Sequence, residues 1–246
     1  MKVTLIGYGA MASAIAEGLK DKYELEVIGR DKEKLKNFSE KYGAKYYTFE
    51  EANIDNKIVI LAVKPYVLDE VAQKLKGKAK LLISILAGKP LKELQKIPAF
   101  SYIRAMPNVA AKYAASTTAI TGDIDSKELA TEILGAIGKV VWVNSDDEID
   151  MATAIIGSGP AFLAIIAEAI SDGGVYCGLK RDVSIELTKG LFESFAKLDD
   201  DFSQIKNSVM SPKGTTAEGI RTLEEEGVRG KIMKGIINTY EKSKKI

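Results

Sequence analysis

Val3-Thr4-Leu5-Ile6-Gly7-Tyr8-Gly9-Ala10-Met11-Ala12, running on through Ala14-Ile15 and Gly18-Leu19 to Val27-Ile28-Gly29-Arg30, decides the fold. An apolar strand, a glycine turn and a helix of small residues make the cradle of a dinucleotide-binding domain. Gly7 lets the chain turn sharply off the strand, Gly9 leaves room for a pyrophosphate, and Ala12 lets the helix lie close to the sheet. The helix N-terminus then faces the anion, which places Gly7, Tyr8, Gly9, Ala10 and Met11 against the cofactor.

About 20 residues beyond the first glycine this fold normally carries Asp or Glu for the adenosine ribose. Here the chain offers Gly29-Arg30. A guanidinium forks two donors onto a 2'-phosphate, so the expected cofactor is NADPH, with NADH possible. Asp31 is either a ribose ligand or the cap of a helix over residues 32–41. Lys2, the apolar run and Ala12-Ser13-Ala14 imitate a secretion signal, but the run is short and broken by glycines, so a cytoplasmic protein is expected.

The charges almost cancel: 35 Lys and Arg stand against 34 Asp and Glu in 246 residues. Nucleic-acid binding is not expected, because it would need a concentrated basic face. Cys177 is the only cysteine, which excludes an internal disulfide and a cysteine-cluster metal site and fits a reducing compartment. The chain has no histidine. That removes Ser-His-Asp and Cys-His catalysis, histidine zinc sites and the imidazole acid/base of many dehydrogenases; no metal site is expected. The reaction must need little proton transfer from the protein.

Residues 3–6, 24–28, 58–63, 80–85, 99–103, 116–121 and 140–143 read as strands, with helical stretches between most of them. This is the pattern of a Rossmann-type doubly wound α/β sheet, assigned to residues 1–144. From residue 145 to 246 the pattern is all-α, with helices expected over 146–156, 160–176, 181–198 and 214–240. Residues 151–167 carry no charge, but Gly157-Ser158-Gly159-Pro160 is expected to split them into pieces too short to cross a membrane. Such apolar helices need cover, and a second subunit would supply it, making a homodimer or higher homo-oligomer.

Three further segments carry chemistry. Ala62-Val63-Lys64-Pro65 follows a strand, at the carboxyl edge where a doubly wound fold binds ligands; it is either a second cofactor-binding segment, the reading adopted, or a plain helix start at Pro65 with Lys64 in solvent. Arg104-Ala105-Met106-Pro107-Asn108 is read as another turn after a strand. Ser211-Pro212-Lys213-Gly214-Thr215-Thr216 leads into a helix; its hydroxyls and free backbone donors make either a carboxylate trap or an ordinary capped helix start.

Together these segments resemble the Δ1-pyrroline-5-carboxylate reductases. The resemblance spans nearly the whole chain: Ile6-Gly7-x-Gly9-x-Met11, Ala62-Val63-Lys64-Pro65, Met106-Pro107-Asn108, Gly157-Ser158-Gly159-Pro160-Ala161, Asp172-Gly173-Gly174-Val175 and Ser211-Pro212-x-Gly214-Thr215-Thr216. It implies reduction of pyrroline-5-carboxylate to proline, the last step of proline biosynthesis, with the site formed where the cofactor domain and an interlocking helical domain meet. It also implies that Ser211, Lys213, Gly214 and Thr215 bind the substrate carboxylate, and that Thr216 holds the ring nitrogen as the catalytic residue. Four positions depart from the family pattern: Val109-Ala110 stand for Thr-Pro, Lys213 for a second glycine, and Asp146 for glutamate. The alternatives are a related β-hydroxyacid or imine reductase, whose catalytic lysine is absent from residues 146–154, and a non-catalytic NADP(H) sensor.

Overall fold

Val3, Leu5 and Ile6, interrupted only by Thr4, have the composition of a parallel strand covered on both faces. In the computed structural model, which describes residues 1–245, they form most of β1 (Lys2–Ile6), inside an eight-stranded sheet. Its companions are β2 (Glu24–Gly29), β3 (Lys45–Thr48), β4 (Ile58–Leu61), β5 (Leu81–Ser84), β6 (Tyr102–Met106), β7 (Ser116–Gly122) and β8 (Gly138–Trp142). The order is β3-β2-β1-β4-β5-β6-β7-β8. All neighbouring strands run parallel except β6 and β7, which are antiparallel.

Helices α1 (Ala10–Leu19), α2 (Lys32–Tyr42), α3 (Leu68–Lys74), α4 (Leu91–Leu94) and α5 (Lys127–Gly135) connect the strands. Alternate residues feed two cores. Val3, Leu5, Ile58 and Ile60 pack with α1, α2 and α5, whereas Ile6, Val59 and Leu61 pack with α3 and α4. This is the three-layer doubly wound arrangement expected from the sequence.

Two strand assignments change. Residues 45–48 form edge strand β3, where Tyr46 and Tyr47 are only half-buried; a short, mixed-polarity segment carries little periodic signal. Strand β6 runs three residues further along the chain than 99–103, so Arg104 lies within the strand rather than in a turn after it. The chain continues through a charged residue because α6 (Asp146–Ala152) supplies its counter-charges. Arg104 is 1% exposed, and its guanidinium donates to Asp146 Oδ1 at 2.7 Å and Asp150 Oδ1 at 2.8 Å.

The chain forms two compact units, Met1–Ser158 with the C-terminal residues from Thr239, and Gly159–Asn238. Helix α6 follows the last strand in sequence yet belongs to the first unit. Its Ile149 joins Met106 and Ala119 in a small buried cluster, and the carboxylate of Asp146 also accepts the first N–H of α4, from Leu91 at 3.2 Å. At the far end of the chain, Tyr240 donates to Asp147 at 2.7 Å.

The second unit contains α7 (Gly159–Tyr176), α8 (Arg181–Phe195), α9 (Phe202–Ser208), α10 (Thr215–Glu225) and most of α11 (Val228–Ser243). Helices α7 and α8 approach closely at Gly174, where a Cβ would lie 2.4 Å from Ser184 Oγ. The single helix expected over 214–240 is two, because Gly227 turns the chain left-handed at φ +67°. Helix α9, capped by Asp201, lacks the length for a periodic signature.

The expected break at residues 157–160 does not occur. A π-helical turn at Thr153–Gly157 joins α6 to α7, giving one helical run, Asp146–Tyr176, of 31 residues. Pro160 falls in the first turn of α7, where its missing N–H and fixed φ are tolerated. By length and hydropathy alone this run is able to cross a bilayer. Leu163, Ile165, Leu187, Leu191 and Ile237 leave large apolar surface uncovered in the single chain.

One buried charge tests the sheet. Glu26 is 2% exposed and meets Lys57 at 2.6 Å, Lys2 at 3.2 Å and the Thr4 hydroxyl at 3.1 Å. Burial alone would raise its carboxyl, but the hydrogen bonds from Lys57, Lys2 and Thr4 outweigh burial and hold it below the usual carboxylate range. A depressed folded-state value stabilises the fold above the unfolded carboxyl value of about 4.3, and the contribution disappears as the pH falls through the folded value. Glu26→Gln is expected to cost about 1–3 kcal/mol near neutral pH, with the difference from wild type shrinking below about pH 4. Urea unfolding of both proteins across that range measures it.

Candidate functional site

The carboxyl ends of β1, β2, β4 and β5 converge because their turns need little room. Gly7 adopts φ +110°, and a Cβ there would lie 2.6 Å from the Ala62 carbonyl oxygen. The same turn is tied on both sides, Gly7 N donating to Ile28 O and Ala62 N to Ile6 O, each at 2.9 Å. Gly29 makes the next close approach: a Cβ on it would strike the Tyr8 ring at 2.5 Å. The result is a cleft of about 420 Å³ along these strand ends.

All ten residues expected at the cofactor line this one cleft: Gly7, Tyr8, Gly9, Ala10, Met11, Arg30, Ala62, Val63, Lys64 and Pro65. A Cβ on Gly9 would meet nothing within 4 Å, so a side chain there would project into open space. No side chain caps α1, whose first N–H groups remain available to an anion. A pyrophosphate therefore has both space and donors beside this turn.

Asp31 does not line the cleft. Its carboxylate accepts from Lys34 N at 3.1 Å and caps α2, while that backbone hydrogen bond, more than any other interaction, holds its carboxyl below the usual range. Arg30 is left as the charged residue at the end of β2. The sequence reading missed Phe49 behind β3, Tyr66, Val67, Glu70 and Val71 around α3, and Ile85-Leu86-Ala87 after β5. Phe49 was hidden with its strand; the carboxyl edge of β5 was the signal available for residues 85–87.

Residues Ser211, Lys213, Gly214, Thr215 and Thr216 lie together in the second unit, at the start of α10. Gly214 N donates to Ser211 O at 2.9 Å, closing a turn. Lys213 sits in the left-handed region at φ +60°, a conformation that costs about 1 kcal/mol or more for a residue with a side chain. A Cβ on Gly214 would crowd the Ser211 hydroxyl and lie 3.0 Å from the Ser211 carbonyl oxygen, so the turn is tight against this glycine. No side chain caps α10, and Ser211, Thr215 and Thr216 surround its free N-terminus.

The remaining departures from the family pattern have structural roles. Asp146 pairs with Arg104 and holds the start of α4. Asn108 accepts from Ala110 N at 3.0 Å and caps the 3-10 turn Val109–Tyr113.

Comparison with known proteins assigns the family. The profile described as pyrroline-5-carboxylate reductase dimerisation matches residues 146–246, and that of NADP oxidoreductase, coenzyme F420-dependent, matches residues 2–88. The pyrroline-5-carboxylate reductase of Helicobacter pylori strain J99 is 36% identical over 96% of this chain and 96% of its own. The chain belongs to the pyrroline-5-carboxylate reductase family. Its relative from Synechocystis is also 36% identical, over 100% of this chain and 98% of that protein. Among solved structures, the 1-pyrroline-5-carboxylate reductase of Streptococcus pyogenes superposes with a TM-score of 0.87 at 28% identity, covering 100% of this chain and 99% of that one. The Plasmodium falciparum pyrroline carboxylate reductase with NADP bound gives 0.79 at 28% identity, over 99% and 98% of the two chains.

The two glycines of the cradle are separable. Gly7→Ala is expected to destabilise the protein by about 1–3 kcal/mol through strain and the clash with Ala62. Gly9→Ala, at an ordinary φ of −78°, is expected to cost about 1 kcal/mol or less. Thermal unfolding of the two variants without added ligand measures the difference.

Proposed function

We propose that the protein reduces Δ1-pyrroline-5-carboxylate to proline, the closing step of proline biosynthesis, with NADPH preferred and NADH as the alternative donor. The observation that carries this reading is that the family match runs across both units, through the glycine cradle of the first and the hydroxyl loop of the second. The cradle alone names a cofactor class; the loop adds a place for a carboxylate.

When bound, the nicotinamide supplies a hydride from its C4 to the carbon of the substrate C=N bond. Gly7 and Gly9 admit the pyrophosphate, and the amides of Ala10 and Met11 at the uncapped start of α1 bind it. Ala62, Val63, Lys64 and Pro65 form the opposite wall, with Tyr8 beside Gly29. Arg30 pairs with the adenosine 2'-phosphate, and the engagement of Asp31 in capping α2 supports that assignment.

In the second unit, the Ser211 hydroxyl and the amides of Lys213, Gly214 and Thr215 bind the substrate carboxylate, a group suited to a free helix N-terminus. The Thr216 hydroxyl holds the ring nitrogen. That nitrogen receives a proton from water or enters already protonated, so a chain without histidine lacks nothing the reaction requires. Catalysis is then largely positioning and electrostatics. We assign residues 145–246 to dimerisation and substrate binding, the exposed apolar helices being covered by a second copy, and place the enzyme in the cytoplasm.

Oxidation of NADPH followed by absorbance should depend on pyrroline-5-carboxylate; absence of turnover with both cofactors would refute the enzyme assignment. In that assay Thr216→Ala should lower kcat/KM about 10- to 100-fold while the dissociation constant for NADPH stays unchanged. Arg30→Ala should raise KM for NADPH about tenfold and leave NADH nearly unaffected. Equal effects on the two cofactors would remove the phosphate role.

A further inference from the structure

The cleft that Arg30 lines also holds a carboxylate that the proposed chemistry does not use. Glu70, in the first turn of α3, lines the same cleft as Arg30 and Phe49. Its Oε1 accepts from Lys74 Nζ at 2.7 Å, one helical turn on. Lys74 in turn lies over the Phe49 ring, 5.8 Å from its centroid. Phe49, Leu68 and Val71 share one buried cluster, so this face of α3 packs toward the segment following β3. Strand β2, after which Arg30 emerges, is the neighbour of β3 in the sheet. Glu70 therefore lines the cleft together with Arg30, close enough to feel its charge, and is held there by Lys74.

We propose that Glu70 is a specificity-determining residue that moderates the preference for NADPH over NADH, its charge opposing a 2'-phosphate in the cleft while leaving a ribose hydroxyl untouched. The proposal rests on the reading of Arg30 as the phosphate ligand. Lys74, and after it Arg30, hold the Glu70 carboxyl below its usual range, so the group is ionised at neutral pH. A fixed negative charge within a Debye length of a dianionic phosphate weakens its binding, and a neutral hydroxyl does not feel the same penalty.

Wild-type protein, Glu70→Gln, Glu70→Lys and Arg30→Ala are each titrated with NADPH and with NADH at low and physiological salt. Binding is followed by reduced-nicotinamide fluorescence and folding by thermal denaturation. Glu70→Gln is expected to tighten NADPH binding about threefold, and Glu70→Lys further, while NADH changes by less than about 1.5-fold; the gain shrinks as salt rises. An unchanged ratio of the two affinities, or weaker NADPH binding in either Glu70 variant, overturns the proposal. Arg30→Ala distinguishes the two claims: an equal loss of both cofactors refutes the Arg30 reading, whereas a selective loss of NADPH alongside an unchanged Glu70→Gln ratio refutes the role of Glu70 alone.

Discussion

The approach of the Ala62 carbonyl to Gly7 is the constraint on which the cleft depends. With 2.6 Å between that oxygen and the position a Cβ would take, any other residue at position 7 would push the ends of β1 and β4 apart. The left-handed φ of Gly7 then directs the chain into α1 and leaves the helix start facing the gap. Gly29 repeats the principle on the other side, letting the Tyr8 ring close that wall. One steric economy at the strand ends thus brings together residues from positions 7 to 87.

A second constraint is electrostatic. Arg104 is carried inside the sheet, where an unpaired guanidinium would be prohibitive, and Asp146 and Asp150 make its burial tolerable. The pairing fixes α6 on the sheet, and Asp146 uses its remaining acceptor capacity to hold the start of α4. The all-α part of the sequence consequently begins inside the compact unit of the sheet. Sequence composition changes near residue 145, whereas compactness changes at Ser158.

The helical unit is governed by what it lacks. Its helices meet closely at Gly174 and Ser184, yet large side chains on α7, α8 and α11 remain uncovered. Surface of this extent is costly in water and is a mark of an interaction site. The profile matching this part of the chain is that of a dimerisation domain, which gives the proposed second copy its physical motive.

The sequence by itself determined the doubly wound class, the cradle and the loop at residues 211–216, because these rest on local rules: alternation of apolar runs, glycine where a turn or close approach demands it, and hydroxyls before a helix. The family resemblance read from those motifs agrees with the full-length relationship to pyrroline-5-carboxylate reductases. Only the tertiary structure decided the features that depend on partners far along the chain. Arg104 looked like a turn residue until Asp146 and Asp150 stood beside it. Asp31 was divided between two roles until Lys34 claimed its carboxylate. Gly157 to Pro160 had the composition of a break, but a π turn leads into α7, Pro160 sits in that helix's first turn, and the helical run continues. Glu70 carries no local signature, and its place in the cleft follows from the packing of α3 with Phe49. Local propensity reads a residue against its neighbours in sequence, whereas charge burial and cleft lining are set by neighbours in space.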